Sequence, residues 1–551
     1  MKNIYLSILL VFIAPLCSRA IELEWVSTFP FSRDVTTDPN GNIYIVGHFI
    51  GTMDADPGPG VENITAAGNR DLFVVKLNSD GNFQWAKRFG SEGHIEAYSV
   101  TLDINGNIYI TGPYRGICDF DPGPGITEFT SLNFQNAYVM KLDPAGDFIW
   151  AKEFSGEYYV LPSAITVDSD GNIYTIGNFR GMTDFNPGTG NYTLTPRGDF
   201  DVYVSKLNTE GEFVWAKQIG GTKSDGAASI ALDNSGNILL TGSFNGTVDF
   251  DPGSGSFPIT STGMSDGFFM KLNAAGDFMW AKKIGGTGDD HFAKAVISAS
   301  TGNIYLSGGF SGTADFDSGN SQLVALGLRD AFIAKFDADG NFIWAIPVGE
   351  SGINNIASIL LNSNEEIFVS GTYSLAATFG SSGLSLTGTD DVYIAKLNAS
   401  GNIMTLKSMG SSGYDKISAM DIDNEGSLIL IGSFQDTVDF DPGSGVHNMV
   451  AAPGSDVGFV WKLSDLYASL PEESLTTFSM YPNPVSDKLT LSFNSPSNKM
   501  VTVFDIQGKL ISQASVSDNI AELDVQGLSC GMYLVATTSG GQTTVQKFTK
   551  E

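Results

Sequence analysis

A single stretch recurs seven times along this chain, and the recurrence limits the possible folds more than any other feature. The Gly-Asn pair that opens one of its β-rich runs stands at Gly41, Gly106, Gly171, Gly236 and Gly302. Glu365-Glu366 replaces it once, and Gly426-Ser427 ends the series. The spacings are 65, 65, 65, 66, 63 and 61 residues. A fixed period of this kind means that each unit is one supersecondary element, which must stack on its neighbours to bury its apolar faces.

Within a unit the hydrophobic period is two. In the second copy, Ser99–Leu102, Asn107–Thr111, Ala137–Leu142 and Phe148–Lys152 are β-rich runs. Asn-Gly, Asp-Pro-Gly and Pro-Ala-Gly separate them, which are hairpin and turn signals. No run reads as a long amphipathic helix, so each unit is predicted to be a four-stranded antiparallel meander. Seven such sheets arranged about an axis make a seven-bladed β-propeller. Trp85, Trp150, Trp215, Trp280 and Trp344 mark the fourth strand of units one to five, with Met404 assigned to that slot in unit six. Unit seven runs out at Val460–Leu463 without a fourth strand. Glu24–Phe29 matches Gln84–Phe89 in pattern, so the first strand of the chain is expected to complete the last sheet and close the ring.

The motifs D-x-x-G-N-I-Y-x-x-G, D-x-Y/F-x-x-K-L-N/D and G-x-F-x-W-A-K, recurring over roughly 25–465, resemble the bacterial β-propeller repeat called SBBP. Units five and six depart from the pattern most.

Composition narrows the function. Thirty Lys and Arg stand against 61 Asp and Glu, a net charge of −31, which disfavours nucleic acid as a partner. Met1–Ala20 has a basic Lys2, an apolar run Ile4–Leu16 and a Ser18-Arg19-Ala20 cleavage pattern, the marks of a secretory signal peptide. No other segment holds 18 consecutive apolar residues, so no stable membrane span is expected. Cys118 and Cys530 remain after cleavage and lie in different domains, where both read as small packed residues.

Candidate chemistry is sparse. His48, His94, His291 and His447 are the only histidines, and none shows a recurring metal spacing. No unit is expected to gain a histidine or a new acid pair at a strand end. An acidic turn does recur: Asp54 and Asp56, Asp119 and Asp121, Asp249 and Asp251, Asp315 and Asp317, Asp439 and Asp441, with Asp184 and Asn186 in the third unit. Thr378-Phe-Gly380 breaks it in the sixth. Residues i and i+2 of an extended run share a face, so the two carboxylates sit together. Paired carboxylates repel unless a cation joins them. Two readings stand: a Pro-Gly turn with a nearby lysine, and calcium held by these aspartates, although the loop lacks the third acid and final Glu of an EF-hand. No other cofactor is expected. A lysine recurs in all seven units, at Lys76, Lys141, Lys206, Lys271, Lys335, Lys396 and Lys462. It is read as pairing with a neighbouring acid rather than as a ring for an anion.

Residues 466–476 read as a linker. From 477 the strands shorten into a small C-terminal β-sandwich. Tyr481-Pro482-Asn483-Pro484, Val503–Lys509, Leu528–Tyr533 and the terminal Lys547-Phe-Thr-Lys550 resemble the type A C-terminal sorting domain of the Bacteroidetes type IX secretion system. The resemblance implies the type IX machinery as a partner. It also implies passage through the periplasm to the cell surface or the medium, with the tail removed.

The expected organisation is therefore a signal peptide (1–20), a propeller (21–465), a linker (466–476) and a sorting domain (477–551). The expected function is a non-enzymatic binding or adhesion module for an extracellular glycan or protein. The alternative is a lyase or hydrolase acting on extracellular polysaccharide in the propeller channel. An enzyme requires one constellation unlike its six siblings.

Overall fold

The computed structural model describes residues 21–464 and 478–551, apart from 318, 376, 380–381, 494–498, 506–509, 530 and 540–541. The predicted signal peptide, the linker and Cys530 fall outside these residues. Every element described is a β-strand, and no helix is long and apolar enough to cross a membrane. The described residues form two compact units, 21–464 and 478–551.

The larger unit contains seven antiparallel four-stranded arrays, one per repeat. Sheets one to six are built from 32–89, 99–156, 160–221, 226–286, 291–348 and 354–409. Sheet seven takes three strands from 416–464 and its fourth, Glu22–Phe29, from the start of the chain. That strand pairs antiparallel with Val457–Ser464, with Trp25 opposite Lys462 and Val26 opposite Trp461, as the sequence pattern predicts.

The central strands read as continuous apolar runs because both of their faces are covered. In Ile43–Phe49, Ile43 and Ile45 face one neighbouring sheet while Tyr44 and Val46 face the other. Seven apolar clusters fill the spaces between consecutive sheets. One of them joins sheet seven to sheet one through Ile429, Ile431 and Val460 against Val35, Ile45 and Phe73. The first strands of successive sheets lie side by side, and Ser32–Thr37 lies against both Ser99–Leu102 and Lys416–Ile422. There the Thr37 amide and hydroxyl donate to Asp421 Oδ2 at 2.7 and 2.9 Å.

Tryptophans of the outer strands fasten every sheet except the sixth to the next. Trp150 Nε1 donates to Thr209 O at 3.4 Å and Trp344 Nε1 to Ala399 O at 3.4 Å. Trp25 makes the same bond from sheet seven to sheet one, Nε1 to Ser79 O at 3.3 Å. Each indole covers a hairpin glycine of the following sheet. At Gly81 a Cβ would meet Trp25 at 2.9 Å, and at Gly146 it would meet Trp85 at 2.8 Å. The register corrects one assignment. Lys335 pairs with Trp344 and Lys396 with Thr405, so Thr405 holds the tryptophan position of sheet six, and Met404 is the exposed residue beside it. The reason is structural: sheet seven takes its outer strand from Glu22–Phe29, so among the described residues it lacks the hairpin between third and fourth strands that such an indole covers in the other sheets.

Most repeats contain a further element. Short strands flank the acidic turn, as in Thr52–Asp54 with Asn63–Thr65 and Thr247–Asp249 with Pro258–Thr260. In sheets three to six this hairpin pairs with the outer strand of the preceding sheet.

The smaller unit is a β-sandwich. Phe478–Tyr481, Lys488–Phe493 and Ile520–Asp524 form one sheet, and Lys499–Asp505, Leu510–Val516, Gly531–Ser539 and Gln542–Lys550 form the other. Leu489, Leu491 and Phe493 meet Val501, Val503, Val535 and Phe548 between them. The strand Phe478–Tyr481 was not expected, because Tyr-Pro-Asn-Pro reads as a turn.

Candidate functional site

In every repeat the start of strand one, the end of strand two, the start of strand three and the end of strand four meet at the same end of the sheet. In sheet one Ser32 pairs with Gly47, and Leu72 with both His48 and Phe89. The opposite end carries the tight turns.

The turn end is chemically self-contained. Asp103 Oδ1 accepts the amides of Asn105 and Asn107 at 2.9 Å, and its Oδ2 accepts Asn107 Nδ2 at 2.7 Å and the Tyr109 hydroxyl at 3.0 Å. This explains the spacing D-x-x-G-N-x-Y. Gly106 sits at φ +79°, where a side chain is disfavoured. The recurrent lysine closes the arrangement: Lys271 lies 2.8 Å from Asp233, Lys396 3.1 Å from Glu366 and Lys462 2.9 Å from Asp423. Lys76 lies 4.7 Å over the Tyr44 ring and Lys141 5.0 Å over Tyr109. Lys271, Lys396 and Lys462 make the acid pairing read from the sequence, whereas Lys76 and Lys141 rest on tyrosine rings. In sheet five Ser298 replaces the turn aspartate, and Glu365 reaches across from sheet six to accept from Thr301 Oγ1 at 2.6 Å and the Tyr305 hydroxyl at 3.2 Å. Burial pushes Glu365 upward, but the Ser298, Thr301 and Ser300 hydroxyls outweigh it and bring it down to about 2.

The ten candidate calcium aspartates lie in the hairpin loops. The first member caps its own loop: Asp119 Oδ1 accepts from the amides of Asp121 at 3.1 Å and Thr127 at 2.8 Å. Asp54, Asp249 and Asp439 do the same with their residues i+2 and i+8, and Asp315 bonds the Asp317 amide at 3.0 Å. The second member folds back on two glycines. Asp121 Oδ1 accepts from Gly123 N at 2.7 Å, and a Cβ on Gly125 would lie 2.0 Å from Asp121 Oδ2. Asp56, Asp251 and Asp441 repeat this geometry. The full motif is thus D-x-D-P-G-x-G, whose last glycine makes room for the carboxylate. Among the described residues no group of three or more His, Cys, Asp or Glu is placed to hold a metal ion.

The loop end is different. All seven arginines and all four histidines among the described residues lie there. One sector is unlike the rest. At the bulge in the first strand, sheets three to seven carry Ser163, Ala228, Ala293, Ala357 and Ser418. Sheet one carries Arg33 there, and Tyr98 holds the corresponding place in sheet two. The Arg33 guanidinium lies 4.8 Å over the Tyr98 ring and makes no ion pair among the described residues. Beside it, His48, Arg70 and His94 converge on Glu96, which is only 7% exposed. His94 Nε2 lies 2.6 Å from Glu96 Oε1, Arg70 Nη1 donates to the same oxygen, and His48 Nδ1 lies 3.9 Å from Oε2. Burial pushes Glu96 upward, yet His94, His48 and Arg70 bring it down to about 2. Burial lowers His48 to about 4, with Glu96 opposing and Arg70, Arg33 and His94 reinforcing. Phe31, 45% exposed, stands 6.2 Å from the His48 ring.

This cluster corrects the expectation that no repeat gains a histidine at a strand end: His48 ends strand two of sheet one, and His94 enters sheet two. No sequence motif could reveal it, because its members come from positions 31 to 98 and meet only across a sheet interface. Alignment of the seven copies does leave a signal, since Arg33 and Tyr98 fall where the other units have Ser or Ala. Cys118 is buried beneath the cluster, with Sγ 3.7 Å from His94 O.

Comparison with known proteins agrees with both halves of this description. Residues 479–551 match a family described as a secretion system C-terminal sorting domain, and 84–112 and 149–178 match the SBBP beta-propeller repeat. The uncharacterized WD repeat-containing protein L264 of Acanthamoeba polyphaga mimivirus is 24% identical over 523 residues, covering 79% of this chain and 37% of its own. The regulatory protein FlaEY of Caulobacter vibrioides is 20% identical over 448 residues, covering 77% of this chain and 45% of its own. The chain thus spans less than half the length of either relative. Among solved structures, YCF48 bound to D1 peptide aligns at 11% identity and a TM-score of 0.35, over 81% of this chain and 96% of the other.

Proposed function

For a chain that carries SBBP propeller repeats and a type IX sorting tail, we propose a secreted or surface-displayed seven-bladed propeller that binds an acidic saccharide at one mouth of its ring. Ring closure is supported by the Glu22–Phe29 pairing, the Trp25–Ser79 bond and the apolar cluster between sheets seven and one. In this reading 1–20 is a signal peptide, 21–465 the propeller, 466–476 a linker and 477–551 the domain read by the type IX machinery on the way through the periplasm.

The observation that carries the binding role is the asymmetric sector around Arg33. A guanidinium stacked on an aromatic ring keeps its N–H edge free for bidentate contact with a carboxylate or sulfate. Phe31 offers an exposed apolar face for a sugar ring. The sector suits binding better than lyase or hydrolase chemistry. A general base or acid works best with its pKa near the operating pH. His48 is lowered to about 4 with Nδ1 buried, and burial and Glu96 raise Tyr98, against the opposing Arg33 and Arg70.

Titration of the full chain with a polyuronate, a sulfated polysaccharide and a neutral glucan tests this. One of the two acidic polymers is expected to bind. Arg33→Ala should weaken that binding roughly tenfold, the loss of one charge-assisted contact of about 1.5 kcal/mol. Equal binding of the neutral glucan, or an Arg33→Ala protein that binds unchanged, would refute the assignment.

The aspartate turns are proposed to be held by their own carboxylate–amide bonds. Chelation is then expected to leave the melting temperature unchanged. A fall of several degrees, with calcium recovered from the purified protein, would return Asp54, Asp119, Asp249, Asp315, Asp439 and their partners to a metal-binding role through mass action on the folded state.

A further inference from the structure

We infer that three buried carboxylate pairs, Asp201 with Asp225, Asp266 with Asp290 and Asp391 with Asp415, each hold one shared proton that fastens the loop leading into sheets four, five and seven. All six residues are 4% exposed or less. The second member of each pair ties two loops together. Asp225 accepts from Gly221 N at 2.7 Å and Asn245 N at 3.1 Å, and Asp290 from Gly286 N at 2.8 Å and Ser311 N at 3.2 Å. Asp415 accepts from Ser411 N at 2.6 Å and Gln435 N at 3.2 Å.

The first member makes its short hydrogen bonds through Oδ2. Asp201 Oδ2 accepts from Arg197 N at 3.0 Å and Gln218 Nε2 at 2.6 Å. Asp266 Oδ2 takes Thr262 N at 2.9 Å and Lys283 Nζ at 3.0 Å, and Asp391 Oδ2 takes Thr387 N at 2.7 Å and the Tyr373 hydroxyl at 3.4 Å. In all three, Oδ1 is buried with no hydrogen-bond partner. A buried carboxylate oxygen without a donor is costly, so a donor is missing from each pair.

The chain supplies its own control. Between sheets five and six the same two positions are Asp330 and Asn354, and there Asn354 Nδ2 donates to Asp330 Oδ1 at 3.4 Å. An amide has the shape of a protonated carboxyl group. A Cβ on Gly349 would lie 2.4 Å from Asp330 Oδ1 and 2.7 Å from Asn354 Nδ2. On the equivalent Gly285 it would lie 2.9 Å from Asp266 Oδ1 and 2.8 Å from Asp290 Oδ2. Asp290 Oδ2 therefore takes the place of the amide donor, and a proton there completes the bond that Asn354 makes.

Burial first, and then the partner carboxylate, push Asp225, Asp290 and Asp415 up to about 6, against the backbone amides that oppose it. The other charged groups facing the pairs are few. They are Arg197, directed to Gly220 O at 3.0 Å, Lys283 on Asp266, and Asp289 with its partner Arg329 at 3.3 Å. Because the folded pKa lies above the unfolded value, this stabilisation is complete below about pH 4 and is lost as pH rises through about 6.

The test is urea unfolding of the full chain across about pH 4 to pH 8, with Asp225→Asn, Asp290→Asn and Asp415→Asn combined. Each Asn loses one acceptor for a backbone amide, so the variant is expected to unfold at lower urea than the wild type near pH 4 and to close that gap towards pH 8, with a flatter pH profile. Single Asp290→Asn, which copies the natural Asn354, should show about a third of that change and serves if the triple variant does not fold. Equal loss of stability at every pH would overturn the shared proton. So would a calcium-dependent gain in the wild type near pH 8 that the variant lacks, which would put a cation between the carboxylates.

Discussion

A chain ending at residue 476 is expected to fold and to remain inside the outer membrane of a type IX-competent host. The smaller unit, 478–551, has an apolar core of its own, built from Leu489, Leu491, Val501, Val503, Val535 and Phe548. Among the described residues, the seven clusters of the larger unit are built from residues 21–463. Tyr481 is 51% exposed and Met532 49% exposed, on a domain that matches a secretion sorting family. Secretion should fall from most of the protein to background, while a fusion of 465–551 to an exported reporter should carry the reporter outside. Cell fractionation with immunodetection reads both arms. A truncated chain found in the medium would show that export does not depend on the tail.

The second large effect is expected at the opposite end of the chain. Trp25→Ala should destabilise the larger unit as much as Trp150→Ala, by about 3 kcal/mol, because both indoles cover a hairpin glycine and donate to a hairpin carbonyl in the following sheet. Removing 21–30 altogether should do far more. Val457–Ser464 would become an unpaired edge, and Phe29 and Trp25 would leave the cluster between sheets seven and one. The unfolding temperature of the larger unit should then fall by far more than in Trp25→Ala, and a peptide spanning 21–30 should restore it. A truncated chain that melts like the full one would show that the strand is dispensable.

How much of this was legible beforehand depends on how local each signal is. The strands were readable because every repeat shows period-two apolar runs bounded by Asn-Gly and Pro-Gly turns. The strand exchange was readable because Trp25 fills a vacant place in a regular series. The small hairpins around the acidic turns were not, since three-residue strands such as Thr52–Asp54 carry no periodicity. The Met404 assignment failed by one residue, and in a strand one residue changes the face. The Arg33–Tyr98 sector and the carboxylate pairs could not be read directly, because their members lie in different sheets or 24 residues apart and meet only after stacking. Their trace in the sequence is a departure from the repeat: Arg33 and Tyr98 among small residues, and Asn354 among aspartates.

The strand exchange has a consequence for synthesis. Glu22 and Ser464, whose strands pair, stand 442 residues apart, so a strand made ahead of the first repeat waits for the last one. Closing so long a loop is the latest and entropically the most demanding contact in the unit. A chain cut short anywhere before Val457 has no partner for Glu22–Phe29 and is left with a bare edge at its beginning. The architecture therefore proofreads its own length: only a complete count of repeats gives the first strand a place to go.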